Sequence, residues 1–182
     1  MDLLTGIESR TSASKLTAPG PKREDLERII AAGVRAPDHG RLRPWRFVVL
    51  EGDSRKVLAD AMANLLLAKM PGATPDQLEA ERNKPMRAPT IVVVAAHPTK
   101  GKIPEIEQIL AVGAAAQNMM LAAHGLGYGS MWKTGGAAYD PSVKQALGLA
   151  AEDHIVALLY LGTLAAAGPL IPAPTDGVVR WL

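Results

Sequence analysis

The chain has 182 residues, 48% of them hydrophobic, 21% charged and none of them cysteine, which suits one domain over 1–182 with a single core and excludes disulfide and thiolate chemistry. Its net charge is only +2 although the pI is near 9.0, and 4% aromatics without a Lys/Arg-rich block argue against a nucleic-acid partner. The opening MDLLTGIES lacks a basic segment leading into an apolar stretch, so no secretory leader is expected and the cytoplasm is the expected location.

Asp2–Arg10 reads as a short helix, with Leu3, Leu4 and Ile7 at helical spacing. It runs into Arg10-Thr11-Ser12-Ala13-Ser14-Lys15, two cations and three hydroxyls that suit either a bound phosphate or a solvated helix end. After the Pro19-Gly20-Pro21 turn, Lys22–Arg35 is an amphipathic helix that stops at Ala36-Pro37. The loop Asp38-His39-Gly40-Arg41-Leu42-Arg43-Pro44 carries three charges and a histidine, fit for an anionic or ring-shaped ligand or for water. Trp45–Leu50 is a strand, and Ser54 is expected to cap a helix running to Met70. Thr74-Pro75 opens a polar helix over Asp76–Asn83, and the segment 69–85 as a whole is a candidate cover. Pro89–Ala96 is a β-branched run expected to be buried on both faces.

Ile103–Gly129 is the centre of the chain. Pro104, Glu105 and Glu107 suit a first helical turn, and from Ile109 to Ala123 only Gln117 and Asn118 are strongly polar. A helix so apolar all round is expected inside the protein, and it is too short and interrupted for a membrane span. Gly125 and Gly127 are expected to end it. The Gly125/Gly127/Gly129 spacing follows a helix and precedes a strand, the reverse of a dinucleotide-binding fingerprint. Tyr128–Gly136 offers Trp132-Lys133-Thr134 at a strand end. Asp140-Pro141 starts a helix to Leu147, and His154–Gly162 is a further buried strand. The Pro/Ala-rich tail over Leu164–Asp176 is expected to be extended, finishing in an apolar, strand-like Val178–Leu182 that docks elsewhere, a partner's sheet edge being one candidate. None of the four histidines has zinc-ligand spacing, so no metal site is expected. Helices first and strands separated by helices afterwards give a layered α+β or α/β sheet.

With these residues in place, nearly the whole chain resembles the FMN-dependent nitroreductase family, in its minimal single-domain branch. The resemblance rests on the order of Arg10-Thr11-Ser12, Ala36-Pro37-Asp38-His39, Pro44-Trp45, the apolar central helix and Gly127–Thr134. It implies an α+β fold, a central mostly antiparallel sheet flanked by helices, with an extended C-terminal arm (about 164–182) reaching the partner of an obligate homodimer. It also implies FMN at two sites between the subunits. By position, Arg10, Thr11 and Ser12 would hold the phosphate and ribityl chain. Trp132, Lys133 and Thr134 would line the flavin, and Arg35 and His39 would reach in from the partner. The segment Ala122, Ala123, His124, Gly125, Leu126 and Gly127 would contact the nicotinamide cofactor.

Two departures stand out. Thr11 occupies a place where the family often has a base, leaving Lys15 or Lys133 to stabilise the anionic reduced ring. Arg41 and Arg43 stand where the family usually has Asn and Gln, so they face either an acidic substrate or water. The implied activity is ping-pong electron transfer from NADH or NADPH to a nitroaromatic, a quinone or a similar acceptor. The cofactor carries that chemistry, so no side chain is assigned as catalytic. The same fold with an enone, unsaturated amide or halogenated phenol as acceptor, or a flavin binder without turnover, are the alternatives. A nucleic-acid module built on Arg35, Arg41, Arg43 and Arg46 ranks last.

Overall fold

The computed structural model describes residues 2–166, 168–171 and 174–182. Eleven elements follow the chain: α1 (Leu3–Ser9), β1 (Leu16–Thr17), α2 (Arg23–Gly33), β2 (Trp45–Glu51), α3 (Arg55–Lys69), α4 (Pro75–Arg82), β3 (Thr90–Ala96), α5 (Glu105–Gly125), β4 (Tyr128–Lys133), α6 (Pro141–Ala146) and β5 (His154–Leu164). Every strand ladder is antiparallel. Leu158–Leu161 of β5 pair with both β3 and β4, so β5 runs between them, with β2 outside β3 and the two residues of β1 at the far end of β5. β3 is buried along its whole length, as an unbroken β-branched run requires. Helices cover both faces of the sheet, giving the expected α+β layers.

On one face α2 and α5 pack against Val92, Val94, Leu159 and Leu161; on the other, Leu58 of α3 and Val143 of α6 pack against Ile91, Val93 and Leu158. Asn118 of α5 donates to the Ala32 carbonyl at 3.3 Å, tying α5 to the end of α2. Buried Gln108 is fully satisfied, accepting from Thr99 N–H and donating to the Thr99 and Ile103 carbonyls. The sheet is pinched where Gly129 and Gly162 face each other across β4 and β5. A Cβ on Gly162 would stand 2.8 Å from the Pro89 ring and 3.0 Å from the Thr17 carbonyl, so only glycine fits there without movement.

Several local expectations are corrected. Ser54 does not cap α3: its hydroxyl exchanges hydrogen bonds with the Glu51 backbone inside a tight turn, and its own backbone is already helical. Thr74 does cap α4, in a reciprocal box with Gln77. The helix around Gly113 is not buried all round. Val112, Ala115, Ala116, Met119 and Ala123 face the core, but Ile106 and Leu110 on the opposite face are 59% and 62% exposed. Gly127 supplies the left-handed turn after α5 (φ +88°), whereas Gly125 remains helical. Among the described residues after β5 there is no strand. Val178 N–H closes a turn onto the Thr175 carbonyl, and Val178, Val179, Trp181 and Leu182 are exposed. Ala167, Pro172 and Ala173 of the expected arm lie outside the described residues.

Candidate functional site

β4 organises the site because it is an outer strand whose two ends open onto two cavities. At its start, Ser12 bridges Ser130 and Ala13 N–H donates to the Ser130 carbonyl at 2.8 Å, which lays the chain after α1 alongside β4. The cavity here, about 240 Å³, is lined by Ser9, Arg10, Thr11, His124, Ser130 and Leu170, among others. Arg10 Nη1 is buried in this region with no hydrogen-bond partner among the described residues. A buried guanidinium N–H left unmatched is costly, and a ligand oxygen is the simplest thing to match it. His124 is held by Ser9, whose hydroxyl donates to the Thr5 carbonyl and is hydrogen-bonded to His124 Nε2 at 2.9 Å.

Three residues on, roughly 10 Å along the strand, Lys133 opens onto a larger cavity of about 500 Å³. Alternation sends Lys133 and Met131 to the α3 face and Trp132 to the α5 face. The wall consists of Met62, Leu65, Leu66 and Lys69 from α3, Glu81 from α4, Lys84 and Arg87 beyond it, and Lys133–Ala137. Tyr160 lies in this wall, with Lys133 Nζ 5.7 Å from its ring centre. Burial pushes the Tyr160 phenol up to about 12, with Arg87 pulling weakly the other way.

The structure brings some of the expected site residues together and sends others elsewhere. Arg10, Thr11 and His124 share the smaller cavity, and Lys133 and Thr134 line the larger one. Ser12 is exposed at the bridge. Trp132 is committed to packing, its indole N–H donating to the Val156 carbonyl at 3.2 Å. Ala123 is fully buried in the core, and Ala122 and Leu126 pack against it. Gly125 and Gly127 are exposed. Arg35 and His39 line neither cavity; His39 Nδ1 is paired with Glu107 of α5 at 2.6 Å. Beside it, Arg41 and Arg43 take left-handed backbone (φ +55° and +52°), a costly geometry for side chains other than glycine. The sequence reading did not assign Lys69, Lys84, Arg87 or Tyr160 to a site. Lys69 and Lys84 belong to the polar segment 69–85, which borders the larger cavity, whereas Arg87 and Tyr160 lie outside it and carry no local signal. Among the described residues no group of three or more His, Asp or Glu could hold a metal ion, and no helix is long and apolar enough to cross a membrane.

Comparison with known proteins now bears on this arrangement. The nitroreductase family model matches residues 7–163. The chain belongs to the nitroreductase family, a family of oxidoreductases. A protein of Escherichia coli K12, named provisionally as the NAD(P)H nitroreductase YdjA, is 37% identical over 185 aligned positions spanning all of both chains. A Haemophilus influenzae protein, named provisionally as an NAD(P)H nitroreductase, is 37% identical over 165 positions, 90% of this chain and 89% of its own. Among solved structures, a nitroreductase-like family protein of Bacillus cereus superposes with a TM-score of 0.84 at 25% identity, over 100% of this chain and 96% of that one. A Desulfovibrio desulfuricans protein, named provisionally as a nitroreductase and solved in complex with FMN, reaches 0.76 at 26% identity, over 98% and 95%.

Proposed function

We propose that this member of the family is an FMN-dependent oxidoreductase that takes electrons from NADH or NADPH and passes them to an electron-poor acceptor, a nitroaromatic or a quinone, by a ping-pong route. The observation that carries the reading is the buried Arg10 Nη1, unpartnered among the described residues, beside Thr11 in a cavity on β4. A phosphate oxygen satisfies that donor, and the Thr11 hydroxyl adds a second. Bound there, FMN would supply the two-electron carrier: NAD(P)H, a proton and a nitro compound become NAD(P)⁺, water and a nitroso compound. Lys133 at the end of the same strand and Thr134 just after it offer a cation and a hydroxyl for the ring, and Lys133 is the better placed of the two cations considered for the reduced flavin, since it lines the larger cavity and Lys15 lines neither.

The active unit is a homodimer. Ile106 and Leu110 on α5 and Leu3, Leu4 and Ile7 on α1 are exposed apolar residues on two helices in mutual contact, a surface suited to a second copy. Arg35 and His39, which line neither cavity of their own chain, would then complete the partner's site, His39 held in place by its pairing with Glu107.

The test is the visible spectrum of the purified protein, followed anaerobically as NADH and then NADPH is added. Flavin bands that bleach within seconds, and return when a nitroaromatic is supplied, support the proposal. Protein that binds no flavin after FMN is added removes it, and bound flavin that neither donor reduces leaves only a flavin binder.

A further inference from the structure

The larger cavity carries an imbalance of charge that the proposed reaction does not by itself need. Four cations line it, Lys69, Lys84, Arg87 and Lys133, against one carboxylate, Glu81. Glu81 is already engaged by Lys84 in an ion pair. Lys133 lies over the Tyr160 ring. That leaves Lys69 and Arg87 with no side-chain ion pair or ring contact among the described residues. Asp140 feels the charge of Lys69, yet its carboxylate lies beyond ion-pair distance and accepts from the N–H and hydroxyl of Ser142. The Lys69 ammonium also stands over the turn that follows β4: a Cβ on Gly136 would be 3.7 Å from Nζ.

Beside these cations the wall has an apolar part for a ring to lie against, Met62, Leu65, Leu66, Leu158 and Tyr160. A volume of about 500 Å³ falls within the range of small-molecule sites. On a chain whose net charge is only +2, concentrating unpaired cations in one concave site focuses the field and draws in anions. Lys69 and Arg87 are exposed at the mouth of this cavity, so salt screens their pull on an anion, but beside an apolar wall they still discriminate between ligands of one shape and different charge.

We propose that this cavity selects aromatic acceptors bearing a negative group, a carboxylate or a phenolate, and that Lys69 and Arg87 hold that group while the ring lies against Leu65, Leu66 and Tyr160. The proposal rests on the oxidoreductase reading for the word acceptor, but the binding preference stands apart from turnover.

The experiment compares 4-nitrobenzoate with 4-nitrobenzamide, which has the same shape without the charge, using wild-type protein loaded with FMN and the variants K69Q/R87Q and K69R. Calorimetric titration reads binding. Steady-state kinetics reads kcat/KM for the acceptor, which in a ping-pong scheme is independent of the donor step. Wild-type protein is expected to prefer the benzoate at least tenfold at low salt in both readouts, less so as salt rises. K69Q/R87Q should lose most of that preference and K69R should retain it. Equal binding of the two compounds by wild type overturns the proposal, and so does an unchanged preference in K69Q/R87Q. A loss of FMN affinity in K69Q/R87Q that weakens both compounds alike also overturns it, because the two cations would then serve the cofactor. If no electrons pass from NAD(P)H but the calorimetric preference and its loss are seen, the oxidoreductase reading fails and the anion selectivity stands.

Discussion

Arg10 shows how much one side chain can reveal when its surroundings do not satisfy it. Its Nη1 is buried without a partner among the described residues, a desolvation cost that the proposed phosphate would relieve. Arg10→Ala is therefore expected to weaken FMN binding by roughly 10- to 100-fold, about 1.5–3 kcal/mol for a charge-assisted hydrogen bond. The same change should leave the melting temperature of the apoprotein unchanged or raise it. Fluorescence titration of apoprotein with FMN, beside thermal melts, checks both halves; a large drop in apoprotein stability would mean that Arg10 is a structural residue. Tyr160 makes a different prediction. Its phenol ionises near 12 in the folded chain and near 10 unfolded, because burial disfavours the phenolate. The stability it contributes is complete below pH 10 and is lost as pH rises through 12, by roughly 2–3 kcal/mol. Urea denaturation between pH 9 and 12 should show a steeper alkaline loss in wild type than in Tyr160→Phe, and parallel curves would contradict the assignment.

At the scale of elements, β4 is the piece that makes a site out of separate segments. It receives the Arg10 segment at one end, presents Lys133 at the other and is fastened along its whole length to β5. Its position depends on the facing pair Gly129 and Gly162, where a Cβ on Gly129 would come within 2.7 Å of the Leu16 side chain. Gly162→Ala must push against the Pro89 ring and the Thr17 carbonyl, neither of which can swing aside. Overpacking of this kind costs about 1–3 kcal/mol, to be read as a lower urea midpoint with unchanged slope. α4 carries the other lesson of this scale. Its capping box and proline were legible in TPDQ, since caps are local hydrogen bonds between near neighbours. The missed role of Ser54 had the same residue type, but the Glu51 backbone took its hydroxyl first.

For the whole molecule, the two faces of α5 carry the proposed dimer. One face is core; the other leaves Ile106 and Leu110 exposed and has open space around Gly113. Ile106→Glu with Leu110→Glu is expected to give monomers in sedimentation or light scattering, and to strip FMN if Arg35 and His39 act across the interface. Monomers that keep their flavin would show that each chain completes its own site. Folding should be largely unaffected, because neither side chain supports the core.

The sequence alone determined the order and kind of nearly every element, since hydrophobic period, proline, glycine and caps act over a few residues. It also marked Arg10, Thr11, Lys133 and Thr134, through a family resemblance carried by the spacing of several weak motifs. Tertiary structure decided what no local pattern encodes. It split those residues between two cavities joined by β4, committed Trp132 and Ala123 to packing, and turned one face of α5 outward. It also gathered Lys69, Lys84 and Arg87 around Tyr160, from positions up to 91 residues apart in the chain. Those residues meet only because antiparallel pairing lays β5 beside β4 and α3 packs across that face, and long-range register leaves no signature in a short window of sequence.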